Sequence, residues 1–98
     1  MTFRVRHKID ACQPAIIAAL RAAGFAVQAL SQGGGCPDLL VADVASGRLL
    51  AFLEVKMPAG DLTPTQLDWI DAWPTTVFVV RTPDEAVAVA MNLRSRAR

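Results

Sequence analysis

Three charged residues lie at the ends of two apolar runs, where the chain otherwise has the composition of a protein core. Asp38 opens the first run, and Glu54 and Lys56 close the second. Side chains alternate along an extended strand, so Glu54 and Lys56 point to the same face. Charges in such surroundings are costly unless they are paired or coordinate a metal. Two carboxylates beside a lysine therefore suit a hard divalent cation, such as Mg²⁺ or Mn²⁺, and a water activated by it.

An ordinary β-hairpin with solvated charges at its strand ends would contain the same short pattern. The pattern consists of Pro37-Asp38, a turn at Ser46-Gly47, and Glu54-Val55-Lys56. Short motifs of this kind often arise by chance, so they need structural context before they carry weight. The secondary structure predicted around these residues is therefore needed to distinguish a catalytic site from an ordinary hairpin.

Helical spacing, strand-like runs and turn residues predict an α/β chain with the element order αβββαβα. Helices are expected over residues 10–23, 64–73 and 83–93, and strands over residues 25–30, 38–44, 49–56 and 76–81. The second and third strands form an antiparallel hairpin. The third strand, the second helix and the fourth strand make a βαβ unit, so those two strands should be parallel with a right-handed crossover.

The start of the first helix offers a purely structural role for Asp10 and Gln13. Pro14 is tolerated only in the first helical turn, which restricts where this helix begins. Asp10 then matches an N-cap residue, and Gln13 matches its third-position partner. Capping would account for both residues without any functional role.

Residues 63–66, Thr-Pro-Thr-Gln, predict the start of the second helix, with threonine as N-cap and glutamine in the third position. The apolar positions expected to face inward are Leu67, Ile70 and Trp73. Trp69 and Trp73 lie four residues apart on one helix face, which favours a core or interface role over a base-stacking platform. The β-branched and aromatic residues 76–81 predict a strand buried on both faces.

The composition indicates one globular domain with more apolar surface than a core of this size needs. The chain has 98 residues, of which 53% are hydrophobic and 19% charged. This excess indicates either apolar area that contacts a partner, such as a second copy of the chain, or simply a core rich in alanine and valine. Cys12, Cys36 and the single His7 form no ligand array, so neither a zinc site nor a disulfide framework is expected. No run has membrane-spanning length, and a cytoplasmic location is expected.

Nucleic-acid contacts are suggested by charge distribution rather than by the net charge of +1. The basic residues at the two ends of the chain are Arg4, Arg6, Lys8, Arg94, Arg96 and Arg98. Residues 1–8 and 94–98 are expected to be loose, and together they could form a phosphate-facing patch or serve as solubilising tails. Gly33, Gly34 and Gly35 lack the spacing of nucleotide-binding loops and predict a flexible loop that contacts a nucleic-acid backbone.

Taken in order, these features resemble the PD-(D/E)xK nuclease superfamily, and within it a stand-alone VRR-NUC (virus-type replication-repair nuclease) domain of the sort common in phages and bacteria. Such domains are similar in size and layout to archaeal Holliday-junction resolvases. The resemblance covers about residues 8–89 and implies a restriction-endonuclease-like core, a four-stranded mixed sheet flanked by helices. The matching residues are Asp10, Gln13, Gly35 to Asp38, Glu54 to Lys56, Leu62 to Pro64, Gln66, Trp69 and Pro83 to Ala86.

The resemblance implies a set of site residues. Asp38, Glu54 and the Val55 carbonyl would hold Mg²⁺ or Mn²⁺, and Asp10 would join them, although the family usually has a glutamate there. Lys56 would position or activate the attacking water, with its charge either kept by Glu54 and the metal ligands or lost to desolvation. Gln66 would point toward the same cleft. Gln13, Gly34, Gly35, Arg4, Arg6 and Lys8 would contact nucleic acid.

The function expected from this resemblance is a metal-dependent endodeoxyribonuclease acting as a homodimer, in DNA repair or replication. Branched DNA such as a Holliday junction and ordinary duplex are both candidate substrates. Two alternatives keep the same fold. One is a catalytically silent module that binds nucleic acid or protein, which the intact set of Asp38, Glu54 and Lys56 disfavours. The other is a nuclease subunit that needs a helicase or another partner.

Overall fold

A four-stranded mixed sheet forms the centre of the structure, a computed structural model that describes residues 11–30 and 36–96. The elements are, in chain order, α1 (Gln13–Ala22), β1 (Phe25–Ala29), β2 (Leu39–Asp43), β3 (Leu49–Val55), α2 (Pro64–Ala72), β4 (Val77–Val80) and α3 (Pro83–Arg96). This is the predicted order αβββαβα, with boundaries that differ by a few residues. The α/β restriction-endonuclease-like architecture is confirmed.

The strands lie in the order β1-β2-β3-β4, and their directions agree with the sequence. The pairs β1/β2 and β2/β3 are antiparallel, and β3/β4 is parallel. The register of the β2/β3 pair shifts between Val41 and Ala42. The parallel pair is the one that the βαβ unit predicted. Because β3 lies between β2 and β4, the last residues of β3 are flanked on both sides by backbone.

The main core lies on the sheet face that α1 and α3 cover. Alternation along the strands sends one set of apolar side chains to this face, where it meets apolar side chains of the two helices. The buried residues of this cluster are Ile16, Leu20, Phe25, Val27, Leu39, Val41, Leu53, Val55, Val80, Ala86 and Ala90. Burying each of the larger side chains of this cluster, those of Val, Leu, Ile and Phe, contributes about 1.5–3 kcal/mol relative to leaving it exposed.

The opposite face of the sheet is covered more thinly, by α2. Phe52 of β3 meets Trp69 of α2 edge-on, with ring centroids 6.2 Å apart. Leu67 and Trp73 are 46% and 48% exposed, so the expectation that they face inward is wrong. The sheet is also less enclosed at its β4 edge than the sequence predicted, because Val79 is only half-buried.

The ends of the outer helices differ from the sequence prediction. Cys12 is the N-cap of α1 and makes no side-chain capping bond, so Gln13 is the first helical residue and its predicted third position is wrong. Asp10, its predicted partner, lies outside the described residues. Pro14 does lie in the first turn. At the other end α3 continues to Arg96, so the expected loose tail from residue 94 is helical through residue 96. Among the described residues, no helix is long and apolar enough to span a membrane.

Candidate active site

Asp38 lies immediately before β2 and is bound to the backbone of the neighbouring strand β3. Its N–H donates to the Leu53 carbonyl at 3.1 Å, and its Oδ2 accepts from the Val55 N–H at 2.8 Å. The side chain therefore takes the place that a backbone carbonyl would occupy if β2 continued. This arrangement fixes the Asp38 carboxylate beside the last residue of β3.

Glu54 lies on the α2 side of β3 and is only 2% exposed. The Gln66 side chain donates from Nε2 to Glu54 Oε2 at 2.9 Å. Gln66 also completes the capping box of α2, because its Oε1 accepts from the Thr63 N–H at 2.8 Å and its own N–H donates to Thr63 Oγ1 at 3.3 Å. The capping role and the site role of Gln66 are therefore fulfilled at the same time, which links the start of α2 to the buried carboxylate.

Lys56 directly follows β3, and its backbone is bound on both sides. Its N–H donates to the Val80 carbonyl at 3.0 Å, and its carbonyl accepts from the Cys12 thiol at 3.6 Å. Lys56 is half-buried. Strand alternation places its side chain on the face that carries Glu54, so the base of the lysine is held where its ammonium can act near the carboxylates.

The Cys36 thiol lies within electrostatic reach of both carboxylates. Burial raises the pKa of Cys36, and the negative charges of Glu54 and then Asp38 raise it further. A thiol with a raised pKa stays protonated at neutral pH and is a poor nucleophile. The second cysteine of the chain, Cys12, and Cys36 are both free thiols.

The oxygen atoms at this end of β3 fit a hard divalent cation. In a β-strand the carbonyl and N–H of one residue point to the same side, so the Val55 carbonyl faces the side on which Asp38 lies. Two carboxylates and a carbonyl are the donors that Mg²⁺ takes from proteins while it keeps several waters. This set contains only two carboxylate side chains. Within residues 11–30 and 36–96, no group of three or more His, Cys, Asp or Glu side chains is placed to hold a metal.

Comparison with known proteins identifies the family of this chain. The VRR-NUC domain model matches residues 4–80. The chain belongs to the VRR-NUC family. A solved structure described as a VRR_NUC domain is similar, with 29% sequence identity, a TM-score of 0.61, and coverage of 82% of this chain and 90% of that chain. A search of curated proteins found no match. The VRR-NUC family lies within the PD-(D/E)xK nuclease superfamily, and nuclease-type function follows from membership.

The VRR-NUC fold brings together Asp38, Glu54, Val55, Lys56 and Gln66, which the sequence predicted as site residues. Gln13 lies at the start of α1, next to Cys12, and is only 6% exposed; its contact with nucleic acid stays a prediction. The remaining predicted site residues lie outside the described part of the chain, and these are Asp10, Gly34, Gly35, Arg4, Arg6 and Lys8.

Two residues around the VRR-NUC site were not found from the sequence. Cys12 binds the Lys56 carbonyl across 44 residues of chain, and Arg81 binds the carbonyls of Met57 and Gly60 across 24 and 21 residues. Both contacts are from a side chain to a distant backbone carbonyl. Periodicity and motif spacing carry no signal for such contacts, because every residue supplies a carbonyl.

Proposed function

We propose that this VRR-NUC domain is a metal-dependent endodeoxyribonuclease that hydrolyses phosphodiester bonds in DNA. The observation that supports this most is the pair formed by the buried Glu54, held by Gln66, and Asp38, held on the Val55 N–H at the same strand end. Two carboxylates at one buried site are stabilised by a divalent cation, since like charges otherwise oppose each other.

Each residue of the site has a distinct role in this proposal. Asp38, Glu54 and the Val55 carbonyl hold Mg²⁺ or Mn²⁺, which when bound lowers the pKa of a coordinated water and neutralises charge on the phosphate. Lys56 places its ammonium beside the scissile phosphate and the attacking water. Gln66 fixes the orientation of Glu54 through its amide N–H. Asp10 is proposed as a further carboxylate from the segment before α1.

The proposal includes DNA, duplex or branched, as the substrate and a second copy of the chain as a partner. Large apolar side chains exposed on the described surface support association with a partner; they are Val44, Leu49, Met57, Leu67, Trp73 and Met91. A symmetric dimer carries two sites and could cut two strands of one substrate. A helicase or replication protein that delivers the substrate is the alternative partner.

The test is a cleavage assay on four-way junction, duplex and single-stranded DNA with Mg²⁺, Mn²⁺ or chelator. We expect metal-dependent cleavage by the wild type and a loss of about a hundredfold or more in Lys56→Ala, by analogy with the removal of other groups that assist proton transfer. Arg48→Ala is the control, because it removes one exposed positive charge from the β2–β3 turn, at the other end of the sheet, and should retain activity.

The outcomes of this assay separate the functional alternatives. The ratio of junction to duplex cleavage distinguishes a junction-selective enzyme from a general nuclease. Binding of DNA without cleavage under every metal condition would contradict an autonomous nuclease and would favour the silent module or the subunit that needs a partner. Equal activity of Lys56→Ala and wild type would contradict the role proposed for Lys56.

A further inference from the structure

The turn that follows the site lysine is held by one arginine from a different strand. Arg81, the residue after β4, donates from Nη1 to the Met57 carbonyl at 2.9 Å and to the Gly60 carbonyl at 2.7 Å. Met57 is the residue directly after Lys56, and Gly60 lies four residues before the start of α2. One guanidinium nitrogen of Arg81 therefore binds both ends of the turn of residues 57–60, which lies between β3 and α2.

This turn lies against the side chain of Lys56. The Gly60 N–H donates to the Met57 carbonyl at 2.8 Å and closes the turn. A Cβ atom built on Gly60 would lie 3.7 Å from Lys56 Cδ and 3.3 Å from the Met57 carbonyl oxygen. A methyl group at Gly60 would therefore be in ordinary van der Waals contact with the aliphatic part of the lysine, so the turn lies beside the lysine stem. The position of the turn limits the directions in which the lysine stem can extend.

Arg81 has a rigid base from which to hold the turn. Its N–H donates to Glu85 Oε1 in the first turn of α3 at 2.6 Å. The preceding residue, Val80, is fully buried and accepts the Lys56 N–H at 3.0 Å. The backbone of Lys56 and the turn beside its side chain are therefore both held from the end of β4.

We propose that Arg81 is a positioning residue for the nuclease reaction, acting on Lys56 through the turn of residues 57–60. The inference rests on the proposed function, because it assigns Arg81 to the geometry of that site. A flexible lysine side chain loses rotamer freedom when it is fixed, so a turn that already restricts the side chain lowers the entropic cost of reaching the phosphate. Arg81 does this without touching substrate or metal.

The kinetic test compares Arg81→Lys and Arg81→Met with the control Arg21→Lys. Arg21 also donates from a guanidinium nitrogen to a backbone carbonyl, that of Val27 at 3.0 Å, and it has no role in the site. We expect kcat to fall about tenfold or more in Arg81→Met, less in Arg81→Lys, and not in Arg21→Lys, while KM stays within twofold of wild type, since misplacement by 1 Å can cost about a hundredfold.

The alternative role for Arg81 is a direct bond to a DNA phosphate, and it gives a different result. A phosphate contact would raise KM and reduce the salt dependence of DNA binding while kcat changed little. That result, or an unchanged kcat in Arg81→Met, would overturn the proposal.

Limited digestion with trypsin measures the turn without any DNA. Trypsin cuts after Lys56, so the rate at which a peptide beginning at Met57 forms reports how often the turn leaves its position. We expect this rate to rise severalfold in Arg81→Lys, while cutting after the exposed Arg48 in the hairpin turn stays unchanged. Equal rates at Lys56 in variant and wild type would overturn the proposal. If the wild type cuts no DNA, the proposed function fails, and the digestion still decides whether Arg81 holds the turn.

Discussion

Two buried carboxylates, Glu54 near the end of β3 and Asp43 at the end of β2, illustrate two different uses of a charge inside this small domain. Asp38 and Asp43 are five residues apart, which is about 17 Å along an extended strand. Glu54 lies near Asp38, so Glu54 and Asp43 lie at opposite ends of the sheet. Glu54 is 2% exposed and Asp43 is 6% exposed. Burial alone therefore does not tell which of the two is functional; the groups around each carboxylate do.

Asp43 is surrounded by groups that stabilise its negative charge permanently. Ser46 donates its hydroxyl to Oδ2 at 2.7 Å and its N–H to the same oxygen at 3.2 Å. Arg94 lies 3.7 Å from Oδ1 and stacks over the Phe25 ring, with its guanidinium carbon 4.6 Å from the ring centroid. The Ser46 hydroxyl lowers the pKa of Asp43, and Arg94 lowers it further. Asp43 thus joins the β2–β3 turn to the end of α3.

Glu54 lies close to a second carboxylate and receives a neutral amide donor. The Gln66 amide orients Glu54 Oε2, and the charges of Glu54 and Asp38 together raise the pKa of the Cys36 thiol. A soluble divalent cation that binds there gains attraction from both carboxylates. The comparison therefore predicts that Glu54 responds to added metal and that Asp43 does not.

The largest expected effect is a difference in metal-dependent stabilisation between the two carboxylates. A ligand at about 100 times its Kd stabilises the native state by about 2.7 kcal/mol, which corresponds to a rise in Tm of roughly 10 °C for a domain of about 100 residues. We expect this rise with Mn²⁺ in wild type and in Asp43→Asn, and little or none in Glu54→Gln. Thermal melts with and without Mn²⁺ measure it.

The matched pair gives this experiment its control, because each substitution exchanges one carboxylate for an amide of the same shape. A loss of the metal response in Asp43→Asn would break the comparison, and so would an undiminished response in Glu54→Gln. Either result would place the metal away from the end of β3.

A smaller effect on metal affinity separates the two roles of Gln66, which caps α2 and donates a hydrogen bond to Glu54. Thr63→Ala and Gln66→Ala both remove bonds of the α2 cap, and we expect each to lower the free energy of unfolding by about 1 kcal/mol. Only Gln66→Ala also removes the donor to Glu54, so it alone should weaken Mn²⁺ binding by about tenfold or more. Calorimetric titration with Mn²⁺ and denaturant melts measure the two effects.

An equal loss of metal affinity in the Thr63 and Gln66 variants would contradict a separate site role for Gln66. The expected outcome is similar stability and different affinity. Thr63 is exposed, and its hydroxyl contacts the Gln66 N–H and the Thr65 hydroxyl within the first turn of α2, so it is the suitable control.

Much of the geometry at the Asp38 end of β2 could be predicted from the sequence, because its signals are local. Pro37-Asp38 and Glu54-Val55-Lys56 lie at the ends of strands that the apolar runs define, and Thr63 with Gln66 is a local cap whose spacing fixes which face Gln66 occupies. The parallel pairing of β3 with β4 followed from the helix between them. These features depend on neighbours within a few residues or on topology rules.

At the Asp43 end of β2 the contact with Ser46 is local, but the ion pair with Arg94 could not be predicted, because it joins residues far apart in the chain. The sequence predicts only that Asp43 lies near the end of an apolar strand. No pattern close to Asp43 in the sequence indicates that Arg94, in the last helix, lies beside it. The inward placement of Leu67 failed for a related reason. Helical spacing shows which residues share a face, while the area that the face covers depends on the sheet beneath, and α2 covers little of it.

The smallest expected effect is the acid sensitivity that Asp43 gives the fold. Its pKa is lowered in the folded state, so its contribution to stability is present above the unfolded pKa, about 4, and is lost as pH falls through the folded value. The difference in Tm between wild type and Asp43→Asn should therefore be constant from pH 7 to about pH 5 and shrink below about pH 4. Ser46→Ala should remove the larger part of this difference while keeping the carboxylate, because the Ser46 hydroxyl is its main cause. Melts across this pH range test both variants, and a difference that grows on acidification would mean that Asp43 is not stabilised as an anion and that the contrast with Glu54 is wrong.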